Sequence, residues 1–243
     1  LVALGGAELR TDARDPSFAE ALERAESITW ATVDQLLDEA ADALTEGGAV
    51  RATFEALPDP SALRLGNSLP IRHAEPGVAP SSQLLLVHSQ RGVSGIDGVV
   101  SGAAGIASIV DGPTTLLIGD VSFLHDLNAL QLASSADGPL VLVVINNGGG
   151  RIFEQLPIAR DGDATWLPFF TTPHDVDLGS ASAAFGCDHR RAATLPELRA
   201  ALDEAYRSEG CTVVEAVVPP QSSLEQHREL LRRVERELGS EGA

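Results

Sequence analysis

The chain has 243 residues, which allows one large domain or two small ones, and 44% of them are hydrophobic, enough to bury a substantial core. Its formal net charge is −18 and all 17 of its Lys and Arg residues are arginine, which argues against nucleic acid or an anionic membrane as a partner. The chain contains no run of about 18 apolar residues, so we expect no membrane span.

The first 27 residues could not form a domain by themselves, because an apolar run, LVALGG, is followed only by a polar loop and a short helix-like segment over 17–26. An amphipathic helix is predicted over 29–46 from apolar residues that fall on one face: Val33, Leu36, Leu37, Ala40 and Leu44. Gly47 and Gly48 are predicted to end this helix, which would serve as a linker. A second short helix is predicted over 50–57.

From Ala62 onward, strand-like and helix-like segments alternate. The predicted strands are 62–65, 84–88, 114–118, 140–145 and 212–218. The predicted helices are 96–110, 122–133, 177–185, 195–207 and 222–238. Because the strands are apolar on both faces, the pattern predicts an α/β fold with a doubly wound parallel sheet and helices on both faces.

Two segments of this region suggest contacts with a neighbour. The helix over 96–110 is rich in Gly and Ala, and each interior Gly costs about 1 kcal/mol of helix propensity, so we predict very close packing, for example against another subunit. The loop over 157–176 is long and carries Trp166, Phe169 and Phe170, which favours a lid or an interface over disorder.

Polar residues follow two strands that a single helix joins. Gly119 and Asp120 follow the strand over 114–118, and Asn146 and Asn147 follow the strand over 140–145. Parallel strands joined in this way place their C-terminal ends side by side, where open α/β sheets bind ligands. Asp120 and Asn147, 27 positions apart in the sequence, should therefore be neighbours in space.

These residues provide a set of oxygen ligands. The Asp120 carboxylate, the Asn147 amide oxygen and a backbone carbonyl among the following glycines suit Mg²⁺, which completes its coordination with water and phosphate oxygens. A helix that opens at Ser122 would present free N–H groups and its positive dipole end to an anion. The sequence therefore predicts a magnesium–diphosphate site, and two glycine-rich turns of an ordinary α/β fold are the alternative.

Two arginines follow the first two predicted strands. Arg72 and Arg91 are expected at the same edge of the sheet as Asp120, and two guanidinium groups in an acidic chain suit bidentate binding of carboxylates. Structural ion pairing at that edge is the alternative interpretation.

The six histidines are expected to have structural or surface roles. His125 and Asp126 are adjacent, so they would point to different sides of a helix and could not form a dyad. His174 lies in TPHDVDLG, where a capping or loop role is predicted, and Cys187 with His189 completes no metal set.

The motifs resemble those of a known enzyme family. A Gly-Asp pair and a later Asn-Asn pair form the fingerprint of thiamine-diphosphate enzymes. The segments GNSLPIR (66–72), RGVSGIDG (91–98), GDVSFLHDLNAL (119–130), NNGGGRIFEQLP (146–157) and TPHDVDLG (172–179) are similar to the C-terminal part of the SEPHCHC synthases, the menaquinone-pathway family of these enzymes. The resemblance spans nearly all of 48–220. Val121 stands where most thiamine-diphosphate enzymes carry Gly, although an aliphatic residue is ordinary in this family.

The resemblance implies roles for particular residues. Asp120, Asn147 and the Gly149 carbonyl would hold Mg²⁺ or Mn²⁺. Thiamine diphosphate would be bound by Gly119, Val121, Ser122, Ser94, Ile96 and Ile152, with Ile96 supporting the bent conformation of the cofactor. The substrates would be bound by Arg72, Arg91, Ser68, Phe153 and Leu156. For Ile152, Phe153 and Leu156, plain packing against the core is an equally good interpretation.

The resemblance also implies a reaction and a domain plan. The reaction would be decarboxylation of 2-oxoglutarate and addition of the remaining fragment to isochorismate. Residues 1–47 would be the tail of a middle domain plus a linker helix, and residues 48–243 the diphosphate-binding domain. The pyrimidine-binding domain, whose Glu activates the cofactor, would be absent, so we expect the chain alone to be inactive. The complete protein would be a homodimer or homotetramer with sites at subunit interfaces.

We expect a cytoplasmic protein, because no basic flank precedes an apolar core at the start of the chain. Cys187 and Cys211 are then expected to be free buried thiols, with a disulfide as the alternative. The acidity fits either a GC-rich genome, which favours Arg over Lys, or a high-salt cytoplasm.

Two other functions remain open. Another thiamine-diphosphate decarboxylase or carboligase would keep the Asp120 and Asn147 pattern without needing both arginines. A non-catalytic phosphate- or nucleotide-binding α/β domain would need only the glycines and the helix N-termini.

Overall fold

Strands and helices alternate along the chain in the computed structural model, which describes residues 16–79, 81–160 and 167–240. The strands are β1 (Ser61–Leu65), β2 (Leu85–Ser89), β3 (Thr114–Gly119), β4 (Leu140–Asn146), β5 (Asp188–Ala192) and β6 (Cys211–Val217). The helices are α1 (Pro16–Ala40), α2 (Glu46–Ala56), α3 (Leu69–Gly77), α4 (Val99–Ala107), α5 (Asp120–His125), α6 (Leu130–Ala133), α7 (Leu167–Thr171), α8 (Leu178–Ala183), α9 (Leu195–Arg207) and α10 (Ser222–Ser240). Turns of 3-10 helix lie at Leu127–Ala129, Arg151–Gln155 and Pro157–Arg160.

The strands form one sheet in the order β2-β1-β3-β4-β6-β5, and every neighbouring pair is parallel. The chain leaves β1 toward one edge of the sheet and leaves β3 toward the other, so the winding reverses between these two adjacent strands. This confirms the predicted doubly wound α/β fold.

Alternate residues of the central strands face two separate layers of core. Leu117 and Val143 pack with α2 and α9 on one face of the sheet. Leu116 and Leu142 pack with α4 and α6 on the other. All four side chains are fully buried. Burial on both faces explains why these strands are continuously apolar. Their positions could be predicted from the sequence for the same reason.

The N-terminal helices differ from their predicted bounds. The segments over 17–26 and 29–46 form one helix, α1, which ends at Ala40. Gly47 and Gly48 do not end a helix but lie in the first turn of α2, because Thr45 accepts a hydrogen bond from the Gly48 amide and caps that helix. The LVALGG run at 1–6 lies outside the described residues, as does Trp166.

The helix predicted over 122–133 is broken into α5, a 3-10 turn and α6. It begins at Asp120 rather than Ser122, and α5 is only six residues long. Asp120 Oδ1 accepts a hydrogen bond from the Val121 amide at 2.7 Å, so this amide at the start of α5 already has an acceptor.

The glycine-rich helix α4 packs closely against a side chain of this same chain. A Cβ at Gly102 would lie 2.6 Å from the Arg64 guanidinium, which donates to the backbone carbonyl of Val99. A Cβ at Gly105 would have no described residue within 4 Å apart from the backbone of α4 itself. Arg64 therefore explains one of the glycines for which the sequence suggested a neighbouring subunit.

Cys187 and Cys211 are buried free thiols, as expected. Within the described ranges, no helix is both long enough and apolar enough to cross a membrane.

Candidate functional site

The reversal of winding between β1 and β3 opens a crevice at the C-terminal edge of the sheet, where ligands of such folds bind. The segment after β1 reaches the crevice through Gly66, whose amide donates to the Leu117 carbonyl at 2.8 Å. A Cβ at Gly66 would lie 2.8 Å from that same oxygen, so only Gly fits there. The next residues of this segment, Asn67 and Ser68, therefore lie beside the start of α5.

Asp120 is a buried carboxylate of the crevice, with 2% of its surface exposed. Its Oδ2 accepts a hydrogen bond from the Gly149 amide at 2.9 Å and lies 3.3 Å from His174 Nε2. Burial raises the pKa of the Asp120 carboxyl above its ordinary value, and the backbone amides and His174 only partly oppose this. A cation beside Asp120 would therefore stabilise a charge that burial penalises.

Asn147 extends from the end of β4 and is also buried. Its Nδ2 donates a 2.8 Å hydrogen bond to Oε1 of Glu46, the first residue of α2. The Asn147 Oδ1 has no hydrogen-bond partner among the described residues, although it is fully buried. An orphaned buried oxygen of this kind is what a bound cation would satisfy.

Asp120 and Asn147 line the same small pocket, whose volume is about 40 Å³. The pocket walls come from Glu46, Ile145 and Asn147 and from the segments 68–70, 119–122 and 149–151. From the described residues the Gly149 carbonyl accepts one hydrogen bond, from the Arg151 amide at 2.9 Å, which leaves its second lone pair available. Carboxylate, amide and carbonyl oxygens fit a hard divalent cation, so this donor set could hold Mg²⁺ or Mn²⁺.

The glycines after Asn147 let two loops approach closely. Gly149 has φ +141, and a Cβ there would lie 2.4 Å from the Thr171 carbonyl at the end of α7. The Gly150 amide donates to that same carbonyl at 2.6 Å. A second contact joins the same two segments: Phe170 packs edge to face against Phe153, with ring centroids 5.5 Å apart. Part of the loop predicted as a lid or interface therefore packs on the site.

Asn146 is held by a different network on the far side of β4. Its Nδ2 donates to Glu215 at 2.7 Å, and its Oδ1 accepts from the Gly148 amide. His189 contacts the other oxygen of Glu215 at 3.0 Å. Burial alone would raise the pKa of the Glu215 carboxyl, but the hydrogen bonds from His189 and Asn146 hold that pKa below its ordinary value. Each asparagine of the pair thus donates to a glutamate.

The two predicted arginines lie near the first strand ends but not in the small pocket. Arg72 is in α3, donates to the Ser68 carbonyl at 2.7 Å, and lines a separate cavity of about 490 Å³ among α1, α3 and α10. Arg91 donates to Asn67 Oδ1 at 3.1 Å. Neither guanidinium forms an ion pair with a carboxylate in the described part of the chain, which disfavours the structural alternative.

The remaining predicted residues divide between the pocket and its surroundings. The pocket includes Ser68, which has φ +71, together with Gly119, Val121 and Ser122. Outside its lining lie Ser94, Ile96, Ile152, Phe153 and Leu156. Leu156 is 42% exposed, and Ser94 has φ +58 and is exposed, so neither serves as core packing.

Several residues of the site were missed by the sequence analysis. His174, expected to have a loop or capping role, lies against Asp120 with 12% of its side chain exposed. Asn67 ties the segment after β1 to the next loop by donating to the Gly95 carbonyl at 2.6 Å. Glu46 is 101 positions from Asn147, so no local spacing could have paired them. The expectation for His125 and Asp126 was right, since Asp126 accepts from the Ser101 amide and His125 faces Asp97.

Comparison with known proteins places these features in a family. Residues 81–216 match the family described as thiamine pyrophosphate enzyme, C-terminal TPP binding domain. The chain is 43% identical to the 2-succinyl-5-enolpyruvyl-6-hydroxy-3-cyclohexene-1-carboxylate (SEPHCHC) synthase of Sorangium cellulosum, over 99% of the chain and 39% of that protein. It is 39% identical to the synthase of the same name from Rubrobacter xylanophilus, over 78% of the chain and 32% of that protein. The chain thus spans well under half the length of these relatives.

Solved structures share the architecture. A thiamin diphosphate-dependent enzyme isolated from Mycobacterium smegmatis matches 73% of the chain and 32% of its own length, with a TM-score of 0.60 and 25% identity. Benzoylformate decarboxylase from Polynucleobacter necessarius matches 71% of the chain and 32% of its own length, with a TM-score of 0.62. Its identity is only 18%, so this second match bears on the fold alone.

Proposed function

We infer that this chain, which belongs to the thiamine pyrophosphate enzymes through its C-terminal cofactor-binding domain, provides the diphosphate-binding half of a SEPHCHC synthase active site. The observation that carries the proposal is the meeting of Asp120 and Asn147 in one buried pocket at the point where the winding of the sheet reverses. The likeness to the two curated synthases supports this choice of reaction.

The metal would be held by oxygens from two strand ends. Asp120 contributes a carboxylate, Asn147 its unpaired Oδ1, and Gly149 a backbone carbonyl. A cation held there would in turn hold the diphosphate of the cofactor. When bound, thiamine diphosphate supplies the electron sink that decarboxylation of a 2-oxo acid requires. The role of this chain would be to bind and orient the cofactor. Its diphosphate would lie beside Gly119, Val121 and Ser122, and the rest of it would contact Ser94, Ile96 and Ile152.

The substrates would be 2-oxoglutarate and isochorismate, both of which are carboxylic acids. Arg72 and Arg91 carry cationic groups near the crevice that no carboxylate of the described chain neutralises. A guanidinium group binds a carboxylate through two parallel hydrogen bonds, so these two side chains would bind and orient the substrates. Ser68 would add a hydroxyl group at the pocket, and Phe153 and Leu156 would form an apolar wall that limits the access of water.

The rest of the active site would lie outside this chain. We propose that 48–243 is the diphosphate-binding domain and that 1–47 is the tail of a middle domain with a linker helix. The carboxylate that activates the cofactor's pyrimidine would then come from a further domain of the complete protein. The active sites would lie at the interfaces of a cytoplasmic homodimer or homotetramer.

The test is a substrate comparison with the complete protein that carries this chain. We expect CO₂ release from 2-oxoglutarate in preference to pyruvate, and SEPHCHC formation only when isochorismate is added. Preference for pyruvate would favour another thiamine-diphosphate decarboxylase. A parallel calorimetric titration should give Mg²⁺-dependent binding of thiamine diphosphate. Tighter binding of ATP in that titration would favour a nucleotide-binding domain.

A further inference from the structure

Glu46 is a buried carboxylate beside the proposed metal site. It is the first residue of α2, its exposed fraction is 1%, and its Oε1 accepts the 2.8 Å hydrogen bond from Asn147 Nδ2. It lies outside the segment 81–216 that matches the cofactor-binding family. Burying a carboxylate costs free energy unless its contacts compensate, so the contacts of Glu46 indicate its role.

The hydrogen bond to Glu46 determines which end of the Asn147 amide faces the pocket. The oxygen and nitrogen of an amide have nearly the same shape, but only the NH₂ group can donate. An ionised carboxylate only accepts, so Glu46 selects the orientation in which Nδ2 points to α2. Oδ1 must then point away from Glu46, and it is the atom left without a hydrogen bond. The reversed amide would bring two acceptor oxygens together and turn an NH₂ group toward a cation.

Glu46 is surrounded by distant parts of the chain. Its Oε2 lies 3.4 Å from His73 Nε2, and the same nitrogen lies 2.9 Å from the hydroxyl of Ser223 in α10. The preceding residue, Thr45, accepts a hydrogen bond from Gln226 at 2.9 Å. Oε2 makes no hydrogen bond among the described residues, so the carboxylate is held through Oε1 and through its place in the first turn of α2, against which α3 and α10 pack.

We propose that Glu46 is a positioning residue that fixes the Asn147 amide with its oxygen toward the metal. This inference rests on the proposed metal site. Groups that hold metal ligands in this way typically contribute a factor of about 10 to 100 to metal affinity. Glu46 also lines the pocket, and its proposed effect is exerted through the Asn147 amide.

The first test is Mg²⁺ titration of the complete protein by calorimetry, in the presence of excess thiamine diphosphate. We expect Glu46→Ala to raise the apparent Kd for Mg²⁺ by about 10- to 100-fold, because Asn147 loses its acceptor and can rotate. The matched control is Glu55→Ala on the same helix, where the carboxylate pairs with Arg199 at the surface. The control should leave the Kd unchanged, and an unchanged Kd in Glu46→Ala itself would overturn the proposal.

The second test exchanges the hydrogen-bond donor and acceptor between residues 46 and 147. It needs no alanine at either position. Asn147→Asp alone would place two carboxylates against each other, which would repel or share a proton. Adding Glu46→Gln restores a hydrogen bond, since the NH₂ group of the new glutamine donates to the new aspartate and leaves the other carboxylate oxygen for Mg²⁺. The double variant should therefore bind Mg²⁺ at least about tenfold more tightly than Asn147→Asp. If Glu46 acted only through its negative charge, Glu46→Gln would weaken Mg²⁺ binding in both backgrounds, and that result would overturn the proposal.

Asp120→Ala distinguishes an error in the proposed metal site from an error in the proposed role of Glu46. If this variant loses Mg²⁺ binding while both Glu46 tests give the contrary result, only the positioning role fails. If Asp120→Ala binds Mg²⁺ with normal affinity, the metal site itself is wrong and the inference about Glu46 falls with it.

Discussion

The amide of Gly149 donates a 2.9 Å hydrogen bond to Oδ2 of Asp120. This bond joins the first residue of α5, which directly follows β3, to the glycine-rich loop after β4, and the two strands are adjacent in the sheet. It places the backbone of the glycine-rich loop against the buried Asp120 carboxylate, so that carboxylate, amide and carbonyl oxygens come from two strand ends. The geometry of the site therefore depends on both the charge of Asp120 and the absence of a side chain at Gly149.

Replacing Asp120 by Ala should abolish Mg²⁺-dependent binding of thiamine diphosphate in the complete protein. The carboxylate is the only anionic group in the proposed ligand set, so we expect an affinity loss of at least about 100-fold, the upper end of what indirect partners cost. Calorimetric titration measures this loss. Asp120→Asn is the control for shape, since it keeps an acceptor for the Gly149 amide but removes the charge. Unchanged cofactor affinity in Asp120→Ala would contradict the site assignment.

Replacing Gly149 by Ala should destabilise the protein and weaken metal binding together. Its φ of +141 disfavours an L side chain, and the new Cβ would lie 2.4 Å from the Thr171 carbonyl. The backbone conformation alone costs about 1–3 kcal/mol. Urea unfolding of the metal-free protein measures the change.

Gly105→Ala is the matched control for Gly149→Ala. Gly105 lies inside α4, and apart from that helix's own backbone no atom of the described chain would lie within 4 Å of the new Cβ. This substitution should raise the free energy of unfolding by about 0.5–1 kcal/mol, since Gly is the poorer helix residue. Equal stability of the two variants would show that the close approach at Gly149 is not required.

The central strands could be predicted because residues that are buried on both faces of a sheet are apolar along the whole strand. β3 and β4 are buried on both faces and are continuously apolar, so their ends, and with them Asp120 and Asn147, could be located in advance. The edge strand β5 was missed because its sequence, DHRRA, is mostly polar and partly exposed. Helix α3 was missed because Pro76 and Gly77 at its end are typical of loops.

The surroundings of the site were harder to predict than its two main residues. The partners of both asparagines, Glu46 and Glu215, lie 101 and 69 positions away in the sequence. Contacts at such separations follow from how α2 and β6 pack, and periodicity carries no information about them. For the same reason His174 could not be connected to Asp120 before the fold was known.

The buried hydroxyl of Tyr206 should make stability fall at high pH. It lies in α9, 2.9 Å from the Thr115 hydroxyl, and burial raises the pKa of Tyr206 to about 12, which the hydrogen bond between the two hydroxyl groups only partly opposes. Between about pH 10 and 12 the unfolded chain loses this proton while the folded chain keeps it, so the free energy of unfolding decreases as pH rises.

Chemical unfolding at several pH values measures the contribution of Tyr206. A pKa difference of about 2 corresponds to about 2.7 kcal/mol in all, of which about 2 kcal/mol falls between pH 10 and 12, so the wild type should lose roughly 2 kcal/mol more stability than Tyr206→Phe over this range. The same pH dependence in both proteins would show that another group titrates.

Arg72→Lys and Arg91→Lys should impair substrate binding and leave the cofactor unaffected. Lysine keeps the charge but cannot form the two parallel hydrogen bonds of a guanidinium group. Losing a charge-assisted contact costs about 1.5–3 kcal/mol, so KM for 2-oxoglutarate or isochorismate should rise about 10- to 100-fold. The two variants need not affect the same substrate, since Arg72 lines the cavity beside α3 and Arg91 is held by Asn67.

Arg199→Lys, at a surface ion pair, is the control and should leave both KM values unchanged. If Arg72→Lys and Arg91→Lys instead lost thiamine diphosphate and kept normal KM values, the arginines would be diphosphate ligands, and the assignment of two carboxylic acid substrates would lose its main support.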